Sequence, residues 1–276
     1  MSTLHVPGAR LHYETRGSGP LLLMIPGATG SADAFNAVAN HLSEHLQVVT
    51  YDRRGFSRSV LNGPQNYELR LDTDADDALA LIEHSGAERA SVFGSSSGAI
   101  VALQLLTRHP SAVRTVIACE PPLVKQLSNG QEWLDVFLRL HGLYRQSGIQ
   151  AALQEFREQV LTRSDRQPLA RATDETNRSQ AVANTLYWLE HELRQYPAVE
   201  IDIERLTTHV ARIHLAVGRE SAGYPAHDST VVLADRLGTD VIALRGGHLG
   251  FVSQPAEFAR ELSDTLVPYE PDVSTT

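Results

Sequence analysis

Sulfur, lysine and tryptophan are scarce in this chain: 276 residues include one cysteine (Cys119), one lysine (Lys125), two methionines and two tryptophans. A single cysteine excludes an intrachain disulfide and a cysteine-rich metal site. Arginine carries the remaining positive charge without forming a basic run, and the formal net charge is −9. That balance argues against nucleic acid as a partner. Long apolar stretches are missing too. The run Leu21 to Ile25 falls far short of the roughly 20 residues that cross a bilayer, so no membrane partner is expected. Met1-Ser2-Thr3-Leu4-His5 lacks a charged and then apolar leader, which makes the cytoplasm the expected location. No internal repeat or low-complexity segment interrupts the chain.

What is present is alternation. An opening hairpin is expected over residues 4–15, turning at Pro7-Gly8. Leu21 to Ile25, bounded by Pro20 and Pro26, reads as a strand buried on both faces. A helix from about Ser31 to Leu46, a strand over Gln47 to Tyr51 and a helix from about Leu71 to His84 follow. Ser91 to Phe93, Thr115 to Cys119, Ile213 to Val217 and Val241 to Leu244 read as further strands. Helices are expected after Ser96, near Ser229 to Leu237, and from about Pro255 to Leu266. Repeated strand–helix units with non-alternating strands specify an α/β fold with a doubly wound, mostly parallel sheet of about eight strands. From Gln131 to about Gln195 only helical spacing occurs, as in Trp133-Leu134-Val136-Phe137-Leu140. Residues 1–124 and 205–276 are therefore expected to form a core domain, and 125–204 an inserted helical cap. The tail after Pro268 is expected to fray.

Gly94-Ser95-Ser96-Ser97-Gly98 lies between the apolar run Ser91-Val92-Phe93 and the helical segment 99–107. A strand, Gly-x-Ser-x-Gly and a helix in that order make so sharp a turn that the middle serine is strained and lifted above the sheet. Ser96 is the candidate nucleophile. A hydroxyl becomes nucleophilic only when a base takes its proton and an acid orients that base. Of the 12 histidines, His248 stands in the loop Arg245-Gly246-Gly247-His248-Leu249-Gly250 just before the last helix, and is the candidate base. His214 and His227 read as ordinary strand and loop residues. Two amides must converge on a developing oxyanion. Ser97 is one candidate donor, and Ala28 in Pro26-Gly27-Ala28-Thr29-Gly30 is the favoured other, with Gly27 and Thr29 as alternatives to it that also stand beside the substrate.

The acid stays open on the residues alone. Triads of this chain order commonly take it from a Gly-x-x-Asp after the strand Ile213 to Val217, but here that loop reads Gly218-Arg219-Glu220-Ser221. Glu220 comes one position early, and alternate residues of an extended chain point to opposite sides. Glu120, in Cys119-Glu120-Pro121-Pro122, sits at the tip of the strand after the nucleophile helix, where the prolines stiffen the chain beyond it. Glu120 is favoured, with Glu220 and Asp228 as alternatives.

Together the Gly94–Gly98 motif, the Pro26-Gly27 loop, the run from Asp52 to Ser59 and Gly247-His248 resemble the α/β-hydrolase superfamily over nearly the whole chain. Within it, the Ser-Ser-Gly after the nucleophile position, Ser57-Arg58-Ser59, Glu120-Pro121-Pro122 and Phe251-Val252-Ser253-Gln254-Pro255 are similar to the fungal zearalenone hydrolases, which are lactonases. That resemblance implies a glutamate acid at Glu120 and a cap tryptophan, Trp188, against the substrate. It implies no cofactor and no metal. The expected function is hydrolysis of a small-molecule carboxylic ester or lactone. Alternatives on the same triad are carbon–carbon bond hydrolysis, thioester cleavage and cofactor-free perhydrolysis, and an alternative of another class is a ligand receptor on the same scaffold. A homodimer is compatible with the sequence. Asp52 is expected to fix the Gly55 loop, Asp72, Asp74, Asp76 and Asp77 to form a solvated helix start, and Cys119 to be core.

Overall fold

Nine strands form one sheet in a computed structural model that describes residues 2–173 and 179–266. The tail after Pro268, expected to fray, lies outside the described residues. β1 (Ser2–Val6) and β2 (Ala9–Arg16) make the opening hairpin, and β5 (Val60–Leu61) adds a short antiparallel pair to β2. β2 pairs antiparallel with β4 (Gln47–Tyr51). From there β3 (Leu21–Ile25), β6 (Ala90–Ser95), β7 (Val113–Cys119), β8 (Ile213–Gly218) and β9 (Val241–Leu244) continue in parallel. The order across the sheet is β1-β2-β4-β3-β6-β7-β8-β9.

Helices cover both faces, and β3 explains why its sequence is apolar at every position. Leu21, Leu23 and Ile25 enter the core under α2 (Arg70–His84), α3 (Ser97–Arg108), α8 (Ile203–Thr207) and α9 (Pro225–Leu237). Leu22 and Met24 point the other way, towards α1 (Asn36–Leu42) and α11 (Pro255–Leu266). A period of two thus feeds two cores. A third cluster holds together α4 (Gly130–Ser147), α5 (Ile149–Val160) and α7 (Ser179–His191), and α6 (Arg163–Ala172) packs against α5. Phe137, Leu140, Leu153, Val160, Trp188 and Leu189 meet there with Phe56 from the core. Among the described residues no helix is long and apolar enough to cross a membrane.

Three expectations need correction. The helix expected from Ser31 to Leu46 is shorter. A single 3-10 turn over Ala32–Phe35 leads into α1, which ends at Leu42 because the chain must turn back for the Gln47 amide to bond Pro20 O and open β4. α9 begins at Pro225 rather than near Ser229, since proline fits the first helical position, where no amide donor is needed. The carboxylates of α2 are not uniformly solvated. Asp72 and Asp76 face outward towards Gln104 and Arg108, whereas Asp74 and Asp77 are buried. Burial is tolerated there because Arg53 and Arg54, at the end of β4, supply guanidinium partners.

Candidate active site

Ser96, Ser97, Glu120, His248 and the Gly27–Thr29 loop gather at the carboxyl edge of the parallel strands, where ligands of such sheets bind. The turn from β6 into α3 places Ser96 at φ 56° and ψ −125°, a region that a residue with a side chain rarely occupies. Surrounding packing holds it there. The Ser96 amide donates to Cys119 O at 2.8 Å, and its carbonyl accepts from Ala99 N at 2.9 Å. Gly94 and Gly98 are required by proximity: a Cβ on Gly94 would meet Gly98 and Ala99, and one on Gly98 would strike Ile25 O. Among the described non-glycine residues only Ser57, Ser96 and Glu120 have positive φ, and all three lie at this edge. Strain of this kind collects at functional sites.

His248 and Glu120 are brought together and Glu220 is not. Glu120 follows β7 directly and is 1% exposed. Its Oε2 lies 2.5 Å from His248 Nδ1, and its Oε1 accepts the Gly218 amide at 2.8 Å. Burial lowers the His248 pKa, but the Glu120 hydrogen bond and charge, with help from Asp165, outweigh it and leave the value raised. Glu220 accepts instead from Ser164 Oγ at 2.7 Å on the surface. Asp228 bonds His227 and the Gly223 amide. Ser221, at the more usual acid position, is buried and its hydroxyl has no partner among the described residues.

Ser96, His248, Gly27, Ala28 and Thr29 line a cavity of about 860 Å³ that extends under α6 and α7. Gln167, Asn184 and Ser57 make part of its wall polar. A narrower recess of about 40 Å³ shares Ser96, Ala28, His248, Phe156 and Leu161 with it and adds Ser97, Phe137 and Trp188. Trp188 therefore serves both as a wall of this recess and as packing for the helical block, with its ring edge-on to Phe156 at 4.9 Å. Gly27 lies close to the turn, since a Cβ there would stand 2.9 Å from both Ser95 O and Ser96 Cβ. The Ser97 amide opens α3, where a helix leaves N–H groups unpaired. No group of three or more His, Cys, Asp and Glu side chains among the described residues could hold a metal ion.

Two polar assemblies around the site escaped the sequence reading. Arg53, fully buried, binds Asp74 Oδ2 at 3.0 Å, both oxygens of Glu192 at 2.9 and 2.7 Å, and Gly27 O at 2.9 Å. Arg70 grips the same Glu192 at 2.6 Å, and Tyr196 donates to Asp74. Burial opposes the Arg53 cation, yet Glu192 and Asp74 keep its pKa above the ordinary value. Asp165, on α6, accepts the amides of His248 at 2.9 Å and Leu249 at 2.8 Å. No spacing marks these residues out, because an acidic residue in a helix looks the same whether it faces water or an arginine. Asp52 holds its loop by accepting from the Ala32 and Arg58 amides at 2.8 and 3.0 Å. Cys119 is buried, and burial pushes its thiol pKa up.

The site can be set beside known proteins. A family model described as alpha/beta hydrolase fold matches residues 20–240. A Bacillus subtilis (strain 168) protein named uncharacterized hydrolase YraK is 35% identical over 269 residues, covering 96% of this chain and 95% of its own. A zearalenone hydrolase from Bionectria ochroleuca is 26% identical over 275 residues, covering 96% and 97%. Among solved structures, the enol-lactonase from Burkholderia xenovorans LB400 superposes with a TM-score of 0.72 at 19% identity, covering 96% of this chain and 99% of that one.

Proposed function

Because this chain belongs to the alpha/beta hydrolase fold family, we propose that it is a serine hydrolase cleaving a carboxylic ester or lactone through an acyl-enzyme, with Ser96 as nucleophile, His248 as base and Glu120 as acid. The observation that carries this reading is the 2.5 Å contact between His248 Nδ1 and Glu120 Oε2 beside a cavity that Ser96 also lines. With the Nδ1 proton held by Glu120, the lone pair of His248 lies on Nε2 and is free to accept the Ser96 proton. Ser96 Oγ then attacks the carbonyl carbon. The oxyanion that forms is received by the Ala28 and Ser97 amides. As the tetrahedral adduct collapses, the C–O bond to the alcohol breaks and the His248 cation protonates the departing oxygen. In a lactone that alcohol stays tethered to the acyl group. Water, deprotonated by His248, attacks the acyl carbon, and the carboxylic acid leaves as Ser96 regains its proton. No cofactor or metal enters this sequence.

Support for the ester or lactone class comes from the likeness to a protein named zearalenone hydrolase and to a solved structure named an enol-lactonase. The helices over residues 125–204 act in this reading as a cap that shapes the pocket, with Gly27, Thr29 and Trp188 against a small-molecule substrate. A hydrolysis screen over esters and lactones of graded size, beside labelling by a fluorophosphonate probe, tests it. Turnover of at least one ester or lactone with probe attached to Ser96 is the expected result. An unlabelled serine in folded protein would sink the proposal.

The acid assignment has its own test. Glu120→Gln should lower kcat by roughly 10⁴-fold, the scale seen when a triad carboxylate becomes an amide. Glu220→Gln should keep kcat within about twofold, since Glu220 contacts Ser164 rather than His248. The sign of the pH effect follows from the raised His248 pKa. The base works only when neutral, so the acidic limb of kcat/KM lies above the ordinary imidazole value. Losing the Glu120 charge lowers that pKa and moves the limb to lower pH. A kcat loss confined to the Glu220 variant would overturn the assignment.

A further inference from the structure

His248 is held from two sides, and only one of them belongs to the triad. The side chain meets Glu120, while the backbone meets Asp165, which stands 83 residues earlier on α6 of the helical block. Asp165 Oδ2 accepts the His248 amide at 2.9 Å and Oδ1 accepts the Leu249 amide at 2.8 Å, so one carboxylate spans two consecutive N–H groups. Thr162, the N-cap of α6, donates its hydroxyl to Asp165 Oδ2 at 2.5 Å. Asp165 is fully buried and forms no salt bridge with a cation among the described residues; these three hydrogen bonds hold its carboxylate. Gly247 makes the approach feasible, because a Cβ there would stand 2.9 Å from Asp165 Oδ1 and closer still to Oδ2. A buried carboxylate without a cation is costly, so this one must be aimed at something worth holding. The same helix lines the cavity through Gln167, Leu169 and Arg171.

We infer that Asp165 is a positioning residue that fixes the backbone of the catalytic base from the helical block, so that the helix lining the pocket also sets where His248 stands. The inference rests on the reading of Ser96 and His248 as nucleophile and base. A Glu120 contact alone lets the imidazole pivot with its loop, whereas two backbone bonds to a buried carboxylate stop the loop from moving. The charged groups facing His248 are Glu120 from the end of β7 and Asp165 from α6. Glu220 on the β8 loop is turned to Ser164, Cys119 is a buried thiol, and α10 (Gly250–Ser253) carries no titratable side chain. Asp165 thus also adds negative charge on the side of the imidazolium that forms during turnover.

The test uses the intact protein with p-nitrophenyl butyrate and a fluorophosphonate probe, beside a Ser96→Ala control. Asp165→Asn keeps the shape but removes the charge and turns one acceptor into a donor facing an N–H. A misplacement of this size lowers kcat and the labelling rate by roughly 10- to 100-fold. KM stays within about twofold, and the acidic limb of the pH profile moves to lower pH, which a merely structural loss would not do. Asp165→Glu restores the charge but not the reach, so the limb returns towards that of the parent while kcat stays low. Should Asp165→Asn fail to fold, Thr162→Val decides. It withdraws the hydroxyl from Asp165 Oδ2 and should slow labelling severalfold. Unchanged kcat, labelling and pH limb in folded variants, with Ser96→Ala inactive, would overturn the role of Asp165 alone. Full activity in Ser96→Ala would overturn the reading on which it rests.

Discussion

Ser96→Ala, His248→Ala and the double variant are expected to fall to one common rate, roughly 10⁶-fold below the parent in kcat, as groups that act as a unit do. The proposed mechanism accounts for such a lack of additivity. Ser96 Oγ is a poor nucleophile without a proton acceptor, and His248 has nothing to deprotonate once the hydroxyl is gone. Removing either leaves the same residual site. That remnant still binds substrate and still offers the Ala28 and Ser97 amides to an oxyanion, so a rate about 10³-fold above the uncatalysed reaction should persist. Ser96→Ala should fold as the parent does, because alanine keeps the Cβ that the turn already accommodates at φ 56°. Steady-state rates on p-nitrophenyl butyrate, with unfolding curves as the control for folding, check the result. Losses that multiply in the double variant would mean that the two residues act independently, and the acyl-enzyme scheme would fail.

The sequence disclosed those parts of the site whose function forces a local pattern. Ser96 sits in a strained turn, and that turn needs glycines at Gly94 and Gly98, so the proposed nucleophile was written in five adjacent letters. The strand alternation that builds the sheet was equally legible, because strands buried on both faces, such as β3, must be apolar throughout. Glu120 was harder to read. It lies immediately after β7, as expected, but its meeting with His248 depends on a loop 128 residues away and on the Gly218 amide that steadies its other oxygen. Asp165 and Glu192 could not be read at all. Glu190 and Glu192 stand two residues apart at the end of α7, and composition treats them alike. One rests at the surface beside Tyr144 and Arg145, and the other is buried between two arginines. Only the packing of α7 against the core separates them. The run on α2 misled for the same reason, since Asp72 and Asp76 share one helix face while Asp74 and Asp77 share another.

Glu192→Ala should destabilise the protein by about 3–5 kcal/mol, the cost of leaving a buried charge unpaired. Arg53 and Arg70 carry two positive charges, and Asp74 and Glu192 carry two negative ones, all at most 2% exposed. Taking away Glu192 leaves two guanidinium groups sharing one carboxylate in a medium that screens poorly. A loss of that size is a large fraction of the roughly 5–15 kcal/mol that holds a typical domain folded. Glu192→Gln keeps the side-chain volume and some hydrogen bonds, so it should fall between the alanine variant and the parent. Glu190→Ala is the internal comparison: its partners are partly solvated, and loss of such a surface pair costs about 0–1 kcal/mol. Urea unfolding measures all three. The same substitution should also slow turnover in molecules that stay folded, because Arg53 holds Gly27 O and with it the loop that carries Ala28. Stability in Glu192→Ala no lower than in Glu190→Ala would show that the arginines find other partners once Glu192 is gone. The buried cluster would then be dispensable for holding α7 to the core.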